Sequence, residues 1–510
     1  MENFTEIIQG FQTLFIPLVF ASCSLGFLLG AFFGAVPGLT TSLALALLLP
    51  LTYGMATTQA LVMCMGIMMA GAWGGSITAI TINIPGAASN VMTAVDGYPM
   101  MLKGQGAKAL GHAAFASMIG GTIGTILLML TAPLVMKLAF LVKTPGKFSL
   151  ILFSLVVVIL VERKSVAKGA VTTFLGIMLG TIGIDVMEPA ARFTFGSNFL
   201  VEGIDFLPLI IGTFAISEVL VQSEKSHSEY QLANQEIPNQ KIRRKDFLPS
   251  IKELKEIGLM AYIKGTLIGY LIGVLPGAGS SMAAFVSYGE AVRSSKDPDK
   301  FGTGILKGIV APETSNNAVC GGALVPMLTF GIPGSTPAAI VLGVLIIHGL
   351  QPGPRLMTTQ ANLVMSMFAA LFISASVLLP LTLWSLGPYF MKILYIDRKI
   401  LYSSIALVAI VGGYVSTYST FQMLMTLVIG VIAYILRKQK YPTVSLLMGF
   451  ILGPMLEEYF RRSLYLSDGS ILIFFTRWDS IVFLVLTVLF YFSFALRKPS
   501  NAKNNGEKSA

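Results

Sequence analysis

"GGSITAITINIPGAAS", Gly74 to Ser89, sits inside a run with no charged residue from Ile7 to Val95, yet it carries an Ile-Pro-Gly break where a membrane helix would be expected to continue. Proline has no N–H to donate and clashes with the preceding turn, and glycine tolerates backbone angles that other residues avoid. The same break recurs in "GGALVPMLTFGIPGSTP", Gly321 to Pro337. An earlier pair has the same order, "GAVPGLTTSLA" at Gly34 to Ala44 and "GVLPGAGSSMAA" at Gly273 to Ala284. Two pairs in register make the halves of the chain related. The sequence therefore predicts an all-α polytopic membrane protein in two related halves, each interrupted by two Pro-Gly-broken or re-entrant helices.

Composition requires the membrane. Of 510 residues 54% are hydrophobic and only 12% charged, and the mean hydropathy is +0.76. A soluble chain of this size would need roughly a quarter of its residues charged. Apolar stretches of membrane length recur to give about twelve spans. The expected organisation is a first membrane repeat at 1–222, a polar cytoplasmic linker at 223–257, a second membrane repeat at 258–390, C-terminal transmembrane helices at 391–496 and a basic disordered tail at 497–510. Glu2 and Glu6 stand where a signal peptide would carry a basic region, so no cleaved leader is expected.

The net charge of +10 does not imply a nucleic-acid partner. The basic residues cluster in short loops and at the end: Arg163, Lys164 and Lys168; Lys241 and Arg243 to Lys245; Arg437, Lys438 and Lys440; Arg497 and Lys498. Cytoplasmic loops show this bias. Cys23, Cys64 and Cys320 lie in apolar runs without ligand spacing, so neither a disulfide framework nor a metal centre is expected. "GGTIG" at Gly120 to Gly124 lacks the Lys-Ser/Thr of a phosphate loop, and no catalytic constellation is present. Gly26, Gly30 and Gly34 form a small-xxx-small ladder for close helix packing.

Broken helices at membrane depth leave N–H and C=O groups without helical partners, which is tolerable only inside protein or along a wet cavity. In paired halves such breaks place a substrate site at the repeat interface, where helix N-termini face anions and freed carbonyls face cations. The candidate substrate-binding residues surround the breaks: Gly38, Thr40 and Thr41; Asn83, Gly86, Ser89 and Asn90; Gly277, Ser280 and Ser281; Gly334, Ser335 and Thr336; and Asn316 and Asn317 in "VAPETSNNAVCGG". Hydroxyl and amide groups serve a carboxylate or Na⁺ without carrying a full charge into the membrane. Glu313, at the edge of a charge-free run, is a candidate for the coupling ion, with Asp96 and Ser42. Asp96 also reads as a turn or cap residue that Lys103 would pair, and His348 as structural. Na⁺ is the one metal ion expected, as a coupling ion, and no cofactor is expected. A carboxylate-permeable channel is the alternative reading, although rings of charge are absent; a membrane enzyme would need a constellation joining Glu313, Asp96 and His348, and no spacing joins them.

Several long motifs, in one order, carry a resemblance: "GAVPGLTTSLALALLLPLTYGM", "WGGSITAITINIPGAASNVMTAVDGYPMMLKGQGAKAL", "DVMEPAARFTFG", "APETSNNAVCGGALVPMLTFGIPGS", "HGLQPGP" and "GFILGPMLEEYFRRSLYLSDG". Together they resemble the large permease subunit of the tripartite tricarboxylate transporters, over almost the entire chain apart from the tails. The resemblance implies inverted repeats and a secondary importer in the bacterial cytoplasmic membrane. It implies a carboxylate substrate received from an extracytoplasmic solute-binding protein, a small membrane subunit as partner, and a Na⁺ or H⁺ gradient as the driving force. The chain departs from the family pattern at Ser315, where Ala is usual, and at Ala87 and Ala88, where more polar residues often stand.

Overall fold

The computed structural model describes residues 2–161, 165–224, 243–390, 398–415 and 418–495. The basic positions Arg163, Lys164, Lys241, Arg497 and Lys498, most of the polar linker and the tail at 497–510 lie outside the described residues.

The described residues are mostly helical, with one antiparallel pair of two-residue strands. In the first half α1 (Glu2–Leu14) and α2 (Pro17–Ala35) lead to the break at Pro37-Gly38 and then to α3 (Thr41–Leu48). α4 (Thr57–Ile82) runs to the second break, after which α5 (Val91–Leu102) and α6 (Gly106–Leu141) follow. α7 (Thr144–Val161), α8 (Val166–Gly180), the hairpin β1 (Gly183–Ile184) and β2 (Ala191–Arg192), and α9 (Phe206–Glu224) complete the half. The second half opens with α10 (Ile251–Ile257) and α11 (Leu259–Val274), breaks at Pro276-Gly277, and turns back along α12 (Gly279–Arg293). α13 (Leu306–Phe330) reaches the fourth break, continued by α14 (Thr336–Ile347) and α15 (Ala361–Tyr389). α16 (Arg398–Val415), α17 (Thr420–Lys438), α18 (Thr443–Tyr465) and α19 (Trp478–Ala495) close the chain.

Among the described residues seven helices are long and apolar enough to cross a membrane, or eight if α10 and α11, bent by 95° where they meet, form one span. The chain is thus a multi-pass membrane protein, with fewer full-length spans than the twelve expected. The breaks account for part of the difference: Thr41–Gly54, which opens with α3, and α14 follow breaks and are apolar helices of 10–17 residues, too short to span alone, as are α8, most of α16 and most of α19 away from the breaks. The side chains facing outward are those lipid would contact, such as Leu130, Leu134 and Leu138 along α6.

The glycine ladder on α2 does what its spacing predicts. A Cβ at Gly26 would strike the carbonyl of Met63, one at Gly30 would lie 2.5 Å from Ile67 O, and one at Gly34 would lie 2.8 Å from Gly74 Cα. α2 and α4 therefore touch backbone to backbone, the contact by which helices associate where lipid offers no hydrophobic drive. In the second half Gly273 of α11 meets Gly322 of α13, with Cβ to Cα at 3.0 Å.

α4 and α13 cross at the centre of the molecule. Asn316 Nδ2 donates to Ala72 O at 2.7 Å, Cys320 Sγ to Met68 O at 3.7 Å, and Asn317 Nδ2 to Met69 O at 3.2 Å. When Ile84-Pro85-Gly86 is aligned with Ile332-Pro333-Gly334, Asn316 falls on Met68 and Cys320 on Ala72. The first two contacts then exchange with each other, and Asn317 meets its own counterpart. Each such bond inside a membrane contributes about 0.6–2 kcal/mol.

Candidate functional site: a cavity between four helix starts

Both Ile-Pro-Gly breaks have one local design. α4 ends at Asn83 in the left-handed conformation, φ 56°, and α13 ends at Gly331, φ 72°. The chain then doubles back, so that Gly86 N–H donates to Gly75 O at 3.2 Å and Gly334 N–H to Ala323 O at 3.3 Å. A Cβ at Gly86 would lie 2.5 Å from Gly34 O, and one at Gly334 would strike Gly273 O. The break of each long helix is thereby pressed against the end of its neighbour, α2 or α11, and the next helix starts beside the start of α3 or α12.

Four helix starts consequently face one cavity of about 370 Å³, near the lower end of the range for small-ligand sites. Its walls include Thr40, Thr41 and Ser42 at the start of α3, Ala87 to Ser89 before α5, Gly279 to Ser281 at α12, and Ser335 to Pro337 at α14. Thr40 Oγ1 accepts from Leu43 N–H at 3.1 Å and Ser335 Oγ from Ala338 N–H at 3.4 Å. As N-caps, both hydroxyls keep an O–H to donate. Met68, Ala72, Val319 and Cys320, from the α4–α13 crossing, form an apolar wall around Asn316.

The structure thus brings together Thr40, Thr41, Ser42, Ser89, Ser280, Ser281, Asn316, Ser335 and Thr336. It places the other predicted residues elsewhere. Gly38, Gly86, Gly277 and Gly334 form the breaks themselves, behind the cavity lining. Asn83 is exposed and outside the lining; Asn is the residue besides Gly that best tolerates the left-handed cap, and that cap explains it without a ligand. Asn90 and Asn317 are fully buried behind the wall.

Glu313 is also fully buried, one layer behind the cavity. Its carboxylate accepts from Thr93 Oγ1 at 2.6 Å, Asn90 Nδ2 at 3.1 Å and Ser117 Oγ at 3.0 Å. Ser89, on the wall, donates to Asn90 Oδ1 at 3.4 Å, so one hydrogen-bonded chain runs from the cavity to Glu313. Among the described residues no Lys, Arg or His lies within ion-pair distance of it.

Asp96 stands apart from the cavity. Its Oδ1 accepts from the N–H groups of Gly302, Gly304 and Ile305, each at 2.9–3.0 Å, and its Oδ2 from Tyr288 O–H at 3.0 Å. With its oxygens so engaged it fastens α5 to the start of α13. Lys103 does not pair with it, because its ammonium group donates to Thr303 O at 2.6 Å. His348 is engaged with Thr57 Oγ1 at 3.2 Å.

Sequence reasoning missed two charged residues of the wall, Glu218 on α9 and Arg437 on α17. Arg437 Nη2 lies 2.5 Å from Glu218 Oε2. A signal existed: Glu218 interrupts an apolar segment, where an acid is costly, and Arg437 ends a run without charge from Leu401.

The model of the tripartite tricarboxylate transporter TctA family matches residues 20–448, which span all four breaks and the cavity. This chain belongs to that family. It is therefore a permease component of a tricarboxylate transporter. It is 34% identical, over 93% of its own length and 93% of the relative's, to a protein of Agrobacterium vitis described as an uncharacterized 52.8 kDa protein in the TAR-I ttuC' 3' region. A second protein of that organism, in the TAR-II ttuC' 3' region, is 36% identical over 41% of this chain and 86% of its own length. No solved structure matches the chain.

Proposed function

We propose that this chain is the large transmembrane subunit of a binding-protein-dependent secondary transporter that imports tricarboxylates or related carboxylates across a bacterial cytoplasmic membrane, driven by a Na⁺ or H⁺ gradient. The observation that carries this reading is the convergence of four helix starts and their hydroxyl groups on one cavity. A helix N-terminus presents roughly half a positive charge and unpaired N–H groups. Four of them around a site of this size favour a small polyanion.

Two inverted repeats account for the packing. The exchange of Asn316–Ala72 with Cys320–Met68 supports a two-fold relation whose axis passes near Asn317 and Met69. α8 packs alongside α18 and α9 alongside α17 in the parallel sense, with Gly176 against Leu446 and Gly212 against Thr426. Under the same relation α8 corresponds to α17 and α9 to α18. The second repeat then extends to about Tyr465, past residue 390.

Coupling fits the residues behind the wall. Asn316 and Asn317 spend their amide N–H groups on carbonyls of α4, and both side-chain carbonyls are buried without a hydrogen-bond partner. Acceptors without donors suit a cation better than a carboxylate. Both residues accordingly pass from the substrate set to the Na⁺ set, with Ser42 and Glu313, and Asp96 leaves it. In this cycle the anion arrives from the extracytoplasmic binding protein, sits between the helix starts with its coupling ions, and is released when the broken helices move against α9 and α17. The small membrane subunit is the other partner.

Uptake of radiolabelled citrate, malate and succinate into proteoliposomes holding this chain, the small subunit and the binding protein tests the reading. Uptake of one carboxylate that needs both the binding protein and an imposed Na⁺ or H⁺ gradient is the expected result. Uptake indifferent to both identifies a passive pore instead.

A further inference from the structure

The helix starts supply only partial charges, and among the described residues the one ion pair in the cavity wall comes from helices outside the four breaks. Arg437, in the last turn of α17, donates through Nη1 to Ser217 Oγ at 3.1 Å and through Nη2 to Glu218 Oε2 at 2.5 Å. Glu218 Oε1 in turn accepts from Gln222 Nε2 at 2.6 Å. The Glu218 side chain is 8% exposed and that of Arg437 30%. A guanidinium has five N–H donors in a planar fork, so the two bonds named leave capacity for an oxyanion.

We propose that Arg437 is a ligand for a carboxylate group of the transported anion, and that Glu218 is the resident carboxylate holding the guanidinium when no substrate is bound. This rests on the carboxylate-transporter reading above. The neighbouring Lys438 shows what a purely topological charge looks like: it pairs with Glu224 at 2.8 Å, and the side chains are 61% and 48% exposed. Arg437 instead points to the cavity and meets an acid that is nearly buried. A buried acid of that kind is costly unless it is paired, so the pair holds a cation in the wall without leaving it uncompensated. A substrate carboxylate can accept from the same Nη2 that Glu218 Oε2 occupies, and so competes with Glu218 for the guanidinium.

The geometry also gives the pair a role in the cycle. The helix starts belong to the broken helices, whereas Arg437 and Glu218 belong to α17 and α9, so an anion touching both bridges the parts that move against each other. Gln222, held by Glu218, packs against the first break, where a Cβ on Gly38 would strike its amide. Competition by Glu218 weakens the bound anion at this wall, which favours release. The basic residues at this end of α17 make it the cytoplasmic end.

The test uses the full chain in nanodiscs with Cys23, Cys64 and Cys320 replaced by Ala and with Ala88→Cys, an exposed position on the cavity wall. Modification rates are measured with an anionic, a cationic and a neutral methanethiosulfonate, the neutral reagent reporting that the cavity is intact. Arg437→Gln should lower the anionic-to-cationic rate ratio about tenfold. Glu218→Gln should raise it, and Arg437→Lys should preserve it. Protection of the introduced thiol by citrate, malate or succinate should weaken in both Arg437 variants, because Lys lacks the fork, and strengthen in Glu218→Gln. An unchanged ratio in Arg437→Gln, or protection in that variant as good as in the parent, overturns the proposal alone. Absence of protection by all three anions in the parent overturns the carboxylate reading and this proposal with it.

Discussion

Thr93 Oγ1 donates to Glu313 Oε1 across 2.6 Å, joining α5 of the first half to α13 of the second at a point with no exposure to solvent. Asn90 and Ser117 complete the set, so three neutral donors and, among the described residues, no cation surround the carboxyl group.

Replacing Glu313 separates charge from shape. Gln keeps one carbonyl oxygen for Thr93 and Asn90, and its amide can donate to Ser117 Oγ, so Glu313→Gln should insert and fold normally. Glu313→Ala leaves three donors without an acceptor, at about 1–3 kcal/mol each, and should fold poorly. If Glu313 binds or carries the coupling ion, gradient-driven uptake by Glu313→Gln should fall about tenfold or more, equivalent to about 1.4 kcal/mol. Wild-type uptake with wild-type gradient dependence in this variant would remove Glu313 from the coupling machinery.

Asp96 should behave in the opposite way. Its Oδ1 terminates the orphan N–H groups of Gly302, Gly304 and Ile305 ahead of α13, as an N-cap does. Asp96→Ala should cost about 1–2 kcal/mol of stability, visible as a lower Tm in detergent. The apparent KM for the coupling ion should not change in the protein that folds. A normal Tm with altered ion dependence would restore Asp96 to the coupling set.

A pH effect is expected in the loop between α8 and α9. The N–H groups of Glu188 and Met187 hold the Asp185 carboxyl down to about 2, helped by Arg461 at 2.6 Å and Arg192 at 3.2 Å. Because the folded value lies below the unfolded one of about 3.9, the stabilisation is complete above pH ~4 and is lost as the pH falls towards ~2. Thermal unfolding of the wild type should therefore show a loss across that window that Asp185→Asn lacks. Parallel curves for the two proteins would show that Asp185 contributes nothing to acid sensitivity.

The breaks and the hydroxyls beside them were legible in the sequence for a physical reason. Pro lacks an N–H and Gly lacks a Cβ whatever the surroundings, so Thr40 to Ser42, Ser280, Ser281, Ser335 and Thr336 could be placed at helix starts before any packing was known. Asn83 misled because a left-handed cap and a polar ligand site favour the same residue. Arg437 was hidden because a basic residue at a helix end is what topology alone produces; only the approach of α9 gives it Glu218 as partner. The pairing of Lys103 with Asp96 failed because backbone N–H groups, which every sequence contains, had already filled Asp96 Oδ1. A hydropathy window counts apolar length and cannot distinguish the arm of a hairpin such as α3 from a full span, and the expected twelve spans reflect that.

The unpaired carbonyls of Asn316 and Asn317 make a polarity prediction. Asn→Asp strengthens an acceptor but loses the N–H that reaches Ala72 O or Met69 O, whereas Asn→Ala removes both. If the carbonyl of Asn317 faces a cation, Asn317→Ala should raise the Na⁺ concentration for half-maximal uptake several-fold with little change in KM for the carboxylate at saturating Na⁺. A rise in the carboxylate KM alone would return Asn317 to the substrate set.

The hairpin tips provide a backbone test. Gly38 and Gly277 have φ of +86° and +71°, where a side chain costs about 1–2 kcal/mol. A Cβ would also strike Gln222 at the first tip and Val158 at the second. Gly38→Ala and Gly277→Ala should therefore each lower Tm and displace a helix start from the cavity, reducing uptake beyond the loss of folded protein. Gly289, inside α12 with open space around its Cβ position, is the control: Gly289→Ala should be neutral or stabilising by up to about 1 kcal/mol. If all three substitutions have the same small effect, the tips are not rigid determinants of the site, and the positions of the helix starts must be set by the α4–α13 crossing alone.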